Sequence, residues 1–305
     1  MENIKEVIQI IHGMCEYKKR YIHFFNYFEK LGFKVEMLEH IHHGERAENP
    51  EKAGIFQNDF NKMIEDQINF TKELKEKYKN IPIIIFGHSM GSFIAQEHMK
   101  KCNDIVEMYI LCGSCYEQKF LWKLGEWASF LLDKIYKNRR ATIIRKMIFL
   151  NSNKKIKSKY YYNENSWLSR DINEVKKYSE DKYCGFTYSS NFYKEFFIFL
   201  NNLYNKNDFK KIRKDIPILI ISGDMDPVGL HKKGVLELAN FYREEGFKNL
   251  NFRLYKDARH ELHNEINREE VFGDIRSWLI KNKGVIEKLR NIRLKITTDY
   301  EKLIY

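Results

Sequence analysis

No stretch of the 305-residue sequence stays apolar for the ~20 residues that a membrane-spanning helix needs. The N-terminal segment MENIKEVIQIIHG carries acidic residues and too short an apolar core for a signal peptide, so a cytoplasmic location is expected. Cysteine is scarce: Cys15, Cys102, Cys112, Cys115 and Cys184 are the 5 present, an odd number that speaks against a disulfide framework and for a reducing compartment. Cys112 and Cys115 have the spacing of a redox dithiol in CGSC, but they close the apolar run IVEMYILCGS with no helix pattern directly behind them. The usual cause of a lowered thiol pKa is therefore missing, and they read as two ordinary small side chains. Acidic residues are outnumbered, 42 against 53 lysines and arginines, for a formal net charge of +11. The lysines are dispersed among asparagines, isoleucines and tyrosines, with no arginine-rich helix and no glycine-aromatic signature. A nucleic-acid partner is therefore not expected, and the charge reads as solvated surface.

The hydrophobic content of 43%, with 15% aromatic residues, marks a globular chain long enough for one large α/β domain or two ordinary ones. Short β-branched runs recur between turn residues, at 6–13, 33–40, 81–87, 105–113, 216–223 and 250–258. Several are continuously apolar, as strands covered on both faces must be. Helix-period segments separate most of them, over roughly 18–31, 57–79, 91–101, 230–245 and 265–282. Strand and helix in alternation predict βαβ units and a mostly parallel, doubly wound sheet. One interval breaks the alternation: 116–212 holds no convincing apolar strand and is rich in lysine and aromatics, so it is expected to form a helical subdomain. The division expected is a core of 1–115 and 213–305 with 116–212 as the insertion, and an extra helix over about 284–305 with Ile286, Leu289 and Ile292 at helical spacing.

The segment IPIIIFGHSMGSFIAQ, residues 81–96, carries the chemistry. Its GHSMG core fits a nucleophile elbow, in which a strand ends in a strained tight turn that lifts Ser89 and a helix begins directly after it. Gly87 and Gly91 supply the small flanks needed where strand and helix backbones cross. A serine at neutral pH needs a histidine base and a carboxylate to hold the tautomer. Those partners are expected in the later strand-end loops SGDMDPVG (222–229) and KDARHELHNE (256–265), on the same sheet edge as Ser89. Asp226, further out on its loop, is favoured over Asp224, and His260 over His263, which lies closer to the next helix. Backbone N–H groups of Met90 and of Met14, in the loop after the first strand, are the expected oxyanion donors, with His12 and Gly13 shaping that turn and standing as candidate substrate contacts.

Together these pieces resemble the monoacylglycerol lipase and lysophospholipase family of α/β-hydrolases, within the serine aminopeptidase-type superfamily. The family's HGxGEHxxRY, GHSMGG, GxxDxxV and GxxHEhhNE motifs read here, in order, HGMCEYKKRY, GHSMGS, GDMDPV and DARHELHNE, and the similarity runs from about residue 6 to 282. Matched residue by residue, the resemblance implies Ser89, Asp226 and His260 as nucleophile, acid and base, Met14 and Met90 as oxyanion donors, and an α/β-hydrolase fold with a helical cap inserted before the acid-bearing strand. SWLSRDINEVKKYSEDKYCGF (166–186) is similar to the family's cap segment, which implies an acyl-chain channel to which Trp167 and Phe186 would contribute. Cys15 and Tyr17 stand where a glycine and a histidine are usual, and IHHGERAENP (41–50) lacks the serine of the family's GHGxS loop.

The function expected is hydrolysis of a lipid ester with one acyl chain, without metal or cofactor; His40, His42 and His43 form a turn with no spaced acidic partner. The same triad would serve a short-chain esterase, an acyltransferase or a peptidase, and the fold could persist in a lipid-binding protein without turnover. A positive surface with an aromatic cap also raises a peripheral contact with anionic lipid.

Overall fold

The computed structural model describes residues 4–284. Six strands form one sheet: β1 (Val7–Ile11), β2 (Lys34–Met37), β3 (Ile83–His88), β4 (Met108–Cys112), β5 (Ile218–Gly223) and β6 (Leu250–Tyr255). Their order is β2-β1-β3-β4-β5-β6, and every pairing is parallel. The four inner strands are buried at every position, whereas the edge β2 alternates between half-buried and buried residues and the edge β6 between half-buried and exposed ones as far as the buried Tyr255. This is the pattern written in the sequence, where IIIF and ILII are continuously apolar and KVEM and LNFRLY alternate.

The connections are α1 (Ile22–Lys30), α2 (Phe60–Lys77) and α3 (Met90–Cys102), which alternate with β1 to β4. Ile83, Ile85, Tyr109 and Leu111 face one buried cluster with Met63 of α2 and Ile94 of α3. Phe86, one residue out of phase, meets Phe24 of α1 with ring centroids 4.7 Å apart, so the sheet is covered on both faces.

Between β4 and β5 the chain forms α4 (Lys119–Tyr136), α5 (Thr142–Phe149), α6 (Ile172–Glu180), α7 (Ser190–Leu203) and α8 (Lys206–Phe209). Among the described residues its extended structure is limited to an isolated bridge between Arg140 and Ser189. Phe192, Phe196 and Leu200 of α7 join the same buried cluster as β3 and α3, so the insertion shares a core with the sheet. α9 (Lys233–Glu244) then links β5 to β6.

The chain divides between Ile266 and Asn267 into two compact units. In the second, 268–284 is helical, with Val271, Phe272, Ile275, Trp278 and Leu279 buried at helical spacing. The extra helix expected over about 284–305 lies, from 285 on, outside the described residues. Among the described residues no helix is long and apolar enough to cross a membrane.

Candidate active site

Ser89 sits between β3 and α3 at φ 52° and ψ −121°, a conformation that costs a non-glycine residue about 1–3 kcal/mol. The surroundings hold it there. Its N–H donates to the Cys112 carbonyl at 2.9 Å, and its carbonyl accepts from Ser92 N–H at 2.8 Å. A side chain at Gly91 would lie 2.0 Å from the Ile11 carbonyl, and one at Gly87 2.5 Å from the Gly91 carbonyl. The first turn of α3 is thus pressed against the ends of β1 and β3, which leaves the Met90 N–H at a helix N-terminus beside the serine.

Asp226 and His260 meet at the ends of β5 and β6. Gly223 allows this, because a side chain there would lie 2.1 Å from the Ala258 carbonyl. His260 Nδ1 donates to Asp226 Oδ1 at 2.9 Å, with both side chains buried. The carboxylate also accepts from Val228 N–H at 2.8 Å and the Ser222 hydroxyl at 3.1 Å. Burial pushes the Asp226 carboxyl up, but the adjacent His260 and these donors more than offset it, so its pKa lies below the ordinary value. With Nδ1 committed as a donor, the neutral ring keeps its lone pair on Nε2, the tautomer a general base requires. Gly113, at φ +62°, lies directly under the pair: a side chain there would be 2.9 Å from His260 Cε1 and 3.4 Å from Asp226 Oδ2.

The competing residues are placed elsewhere. Asp224 accepts from Asp257 N–H at 2.7 Å and pairs with Lys232 at 3.3 Å, tying two loops together. His263 is buried and stacks on Tyr21 with centroids 4.4 Å apart, and neither ring nitrogen has a hydrogen-bond partner among the described residues. Burial, and then the neighbouring His88 and Arg20, push its pKa well down, so the ring is neutral.

The loop after β1 is braced from below. Glu16 Oε1 accepts from Gly13 N–H, from the Tyr21 hydroxyl at 2.7 Å and from His88 Nδ1 at 2.9 Å. Burial pushes Glu16 up and His88 down, yet each shifts toward its charged form because the other is beside it. Glu16, His88 and His263 bring ligand atoms within 4.8 Å of one another, but the carboxylate oxygen of that contact set already takes three donors. Arg20 donates to Glu174 of α6 at 3.2 Å and to Glu261 at 2.5 Å, joining this loop, the insertion and the histidine loop. Sequence reasoning assigned no role to Glu16, Arg20, Tyr21 or His88, although all four fall inside the matched motifs at fixed spacing.

Met14, Gly13, Ser89, Met90, His260 and Trp167 line one cavity of about 1040 Å³. The Trp167 ring lies 4.9 Å from that of His260, and its carbonyl accepts the His260 N–H at 3.3 Å. His12 and Phe186, expected as substrate contacts, do not line this cavity. His12 is fully buried, with its Nε2 accepting from His40 N–H at 2.9 Å, and Phe186 packs on His43 and Tyr188. His40 and His43 are likewise held neutral, chiefly by burial, and His42 pairs with Asp59 at 2.8 Å. The residues that depart from the family pattern are also structural: Cys15 adopts φ +54°, where a glycine would be unstrained, and the Tyr17 hydroxyl donates to Asp181 at 2.7 Å.

Residues 2–267 match the hydrolase family Hydrolase_4, described as Serine aminopeptidase, S33. The chain belongs to this family. It is 25% identical over 282 residues to the monoglyceride lipase homolog of Monkeypox virus, covering 90% of this chain and 89% of that one. It is 23% identical over 289 residues to the monoglyceride lipase of Mus musculus, covering 90% and 82%. Among solved structures, a thermostable carboxyl esterase from Bacillus coagulans superposes with a TM-score of 0.82 at 26% identity, covering 92% of this chain and 90% of that one. A soluble variant of monoglyceride lipase from Saccharomyces cerevisiae shares the fold, with a TM-score of 0.70 at 21% identity and coverage of 92% and 88%. The architecture is that of the α/β-hydrolases, and the family with these relatives supports an ester hydrolase.

Proposed function

We propose that the protein hydrolyses carboxylic esters bearing a single acyl chain, of the monoacylglycerol or lysophospholipid class, with Ser89, His260 and Asp226 as its triad. The cavity carries this reading. Its volume of about 1040 Å³ is at the top of the range for small-molecule sites, roughly 300–1,000 Å³. Its wall includes Leu121, Leu132, Ile148, Phe197 and Leu200, which offer an acyl chain an apolar surface.

In this mechanism Ser89 Oγ attacks the ester carbonyl carbon while His260 Nε2 takes the hydroxyl proton. The Met14 and Met90 N–H groups hold the oxyanion of the tetrahedral intermediate. Asp226 stabilises the imidazolium, which gives its proton to the leaving alcohol oxygen as the ester bond breaks. Water, deprotonated by His260, then attacks the acyl-serine, and collapse of the second intermediate returns the serine and releases the acid.

The test is hydrolysis of p-nitrophenyl esters of increasing chain length by wild type and Ser89→Ala, with amino-acid p-nitroanilides alongside. A Ser89-dependent optimum at medium or long chains is expected. A preference for acetate would move the assignment to a short-chain esterase, and for anilides to a peptidase. Absence of Ser89-dependent turnover would favour a lipid-binding protein.

The insertion also exposes apolar side chains: Phe120 is 83% accessible, Trp127 62%, Ile135 72% and Leu150 76%. Lys119, Lys123 and Lys134 lie on α4 with Phe120, Trp127 and Ile135, and Lys146 lies on α5, which Leu150 directly follows. Apolar groups beside cations suit the surface of an anionic bilayer, and we read this side of the insertion as facing lipid. Sedimentation with phosphatidylserine vesicles that weakens with salt is expected. Equal sedimentation with neutral vesicles at all salt concentrations would overturn this part.

A further inference from the structure

Most arginines of this protein with a defined environment have acceptors, Arg46 on Asp66 among them. Arg20 donates to Glu174 and Glu261, Arg140 to the carbonyls of Thr187 and Glu51, and Arg170 to Glu265. Arg213 donates to Asp215 and to backbone carbonyls, and Arg259 to the carbonyls of Ser166 and Ser169. Arg145 differs. It lies on α5, is partly buried and lines the cavity that holds Ser89. Among the described residues no hydrogen bond or ion pair engages its guanidinium; its Nε is buried without a partner, as is that of Arg20, but the terminal nitrogens of Arg20 are bonded to two carboxylates. The aromatic ring of Phe149 lies at 6.0 Å, which supports the cation without satisfying its N–H donors.

A guanidinium stays charged at any physiological pH, and a partly desolvated one with open donors is costly unless an acceptor arrives. The carboxylates that share the cavity wall are committed or exposed. Glu16 is bonded to His88, Glu261 to Arg20, and Glu164 is exposed. The position of Arg145 is also informative. One of its terminal nitrogens lies 4.0 Å from where a side chain at Gly185 would be, and Gly185 N–H donates to the carbonyl of Cys15, next to Met14. The cation therefore borders the loop expected to bind the ester oxygen.

We propose that Arg145 is a specificity-determining residue that binds an oxyanion group on the alcohol side of the substrate, so that single-chain esters of glycerol phosphate are preferred over neutral monoglycerides. This rests on the ester-hydrolase reading above. A planar guanidinium meets phosphate oxygens through two parallel N–H bonds, and charge-assisted bonds of this kind are among the stronger ones in proteins.

The experiment compares 1-acylglycerol 3-phosphate with the 1-monoacylglycerol of the same chain, and with a neutral p-nitrophenyl ester, on wild type, Arg145→Gln and Arg145→Lys. Arg145→Gln is expected to lose ~10- to 100-fold in kcat/KM on the phosphate ester, mainly through KM, and less than about threefold on the two neutral esters. Arg145→Lys keeps the charge without the fork and falls between them. Melting temperatures show that the variants are folded, and the p-nitrophenyl ester shows that the triad is intact. Equal losses on all three substrates, or an unchanged ratio of phosphate ester to monoglyceride, would overturn the proposal while leaving the hydrolase reading standing. Failure of wild type to cleave any of the three would instead count against that reading. A carboxylate could recruit the same cation, so binding of the matching free fatty acid to Ser89→Ala is measured with and without Arg145→Gln. If the substitution weakens fatty-acid binding and leaves phosphate-ester kinetics unchanged, Arg145 serves the product acid and the proposal fails.

Discussion

Gly113→Ala puts a methyl group against His260, the proposed base. The added carbon would lie 2.9 Å from His260 Cε1 and 3.1 Å from Nδ1. Ordinary carbon contacts begin near 3.5 Å, so the ring must retreat by about 0.6 Å. The rings of Trp167 and His88 also pack on it, with centroids at 4.9 Å and 4.8 Å, and limit where it can go. The 2.9 Å bond to Asp226 is the softer restraint and is expected to stretch. Displacements on this scale lower kcat by roughly 10- to 100-fold, with a smaller effect on KM. The backbone adds a separate penalty, because φ at Gly113 is +62° and an alanine there costs about 1–2 kcal/mol. With overpacking the total is about 3 kcal/mol, a fall in Tm of roughly 5–10 °C. Gly246→Ala is the control: its φ is +86° and nothing lies within 4 Å, so it carries the backbone penalty alone. The assay is p-nitrophenyl ester hydrolysis with a thermal melt on both variants. Gly246→Ala is expected to lose Tm with kcat unchanged, and Gly113→Ala to lose both. A Gly113→Ala protein that melts early yet keeps kcat within twofold of wild type would refute the claim that this glycine sets the position of the base.

Asp226→Asn keeps the shape but presents an amide N–H to His260 Nδ1, which forces the proton onto Nε2; kcat is expected to fall by ~10⁴ with KM little changed, and a smaller loss would mean that the carboxylate is not holding the tautomer. Glu16→Gln removes the partner of His88. Glu16 lies below its ordinary 4.5 and His88 above its ordinary 6.5, so the pair stabilises fully between those values. Its contribution fades as acid protonates Glu16 through its depressed pKa and as base deprotonates His88 through its raised one. The Tm difference between wild type and Glu16→Gln should therefore peak between those limits, and a difference independent of pH would contradict the pairing. The 5 cysteines are free and buried, with the Cys15, Cys102 and Cys115 thiols pushed up to about 12 chiefly by burial. Thiol reagents at neutral pH should label native protein slowly and denatured protein at all 5 positions, and rapid native labelling of Cys112 and Cys115 would reopen the dithiol reading.

The sequence by itself determined whatever depends on neighbours along the chain. Continuous apolarity in IIIF and ILII and alternation in LNFRLY place inner and edge strands, because a strand covered on both faces cannot tolerate alternating polarity. GHSMG marked the corner because close crossing of strand and helix demands small residues at fixed offsets. Tertiary structure decided what depends on contacts between distant segments. His260 and His263 are both buried and three residues apart, and only packing turns one toward Asp226 and the other onto Tyr21. Gly113 lies inside CGSC, whose cysteine spacing says nothing of a histidine, and its role appears only where β4 ends beneath the histidine loop. The expected contacts His12 and Phe186 turned away from the cavity because one is drawn under the β2 loop by His40 and the other is packed on Tyr188. Arg145 is one of many basic residues in the chain, and what sets it apart, donors left open in a cavity, is a property of the space around it. Periodicity and spacing record which faces are covered, whereas the partner of a buried charge is settled by the three-dimensional path of segments far apart in sequence.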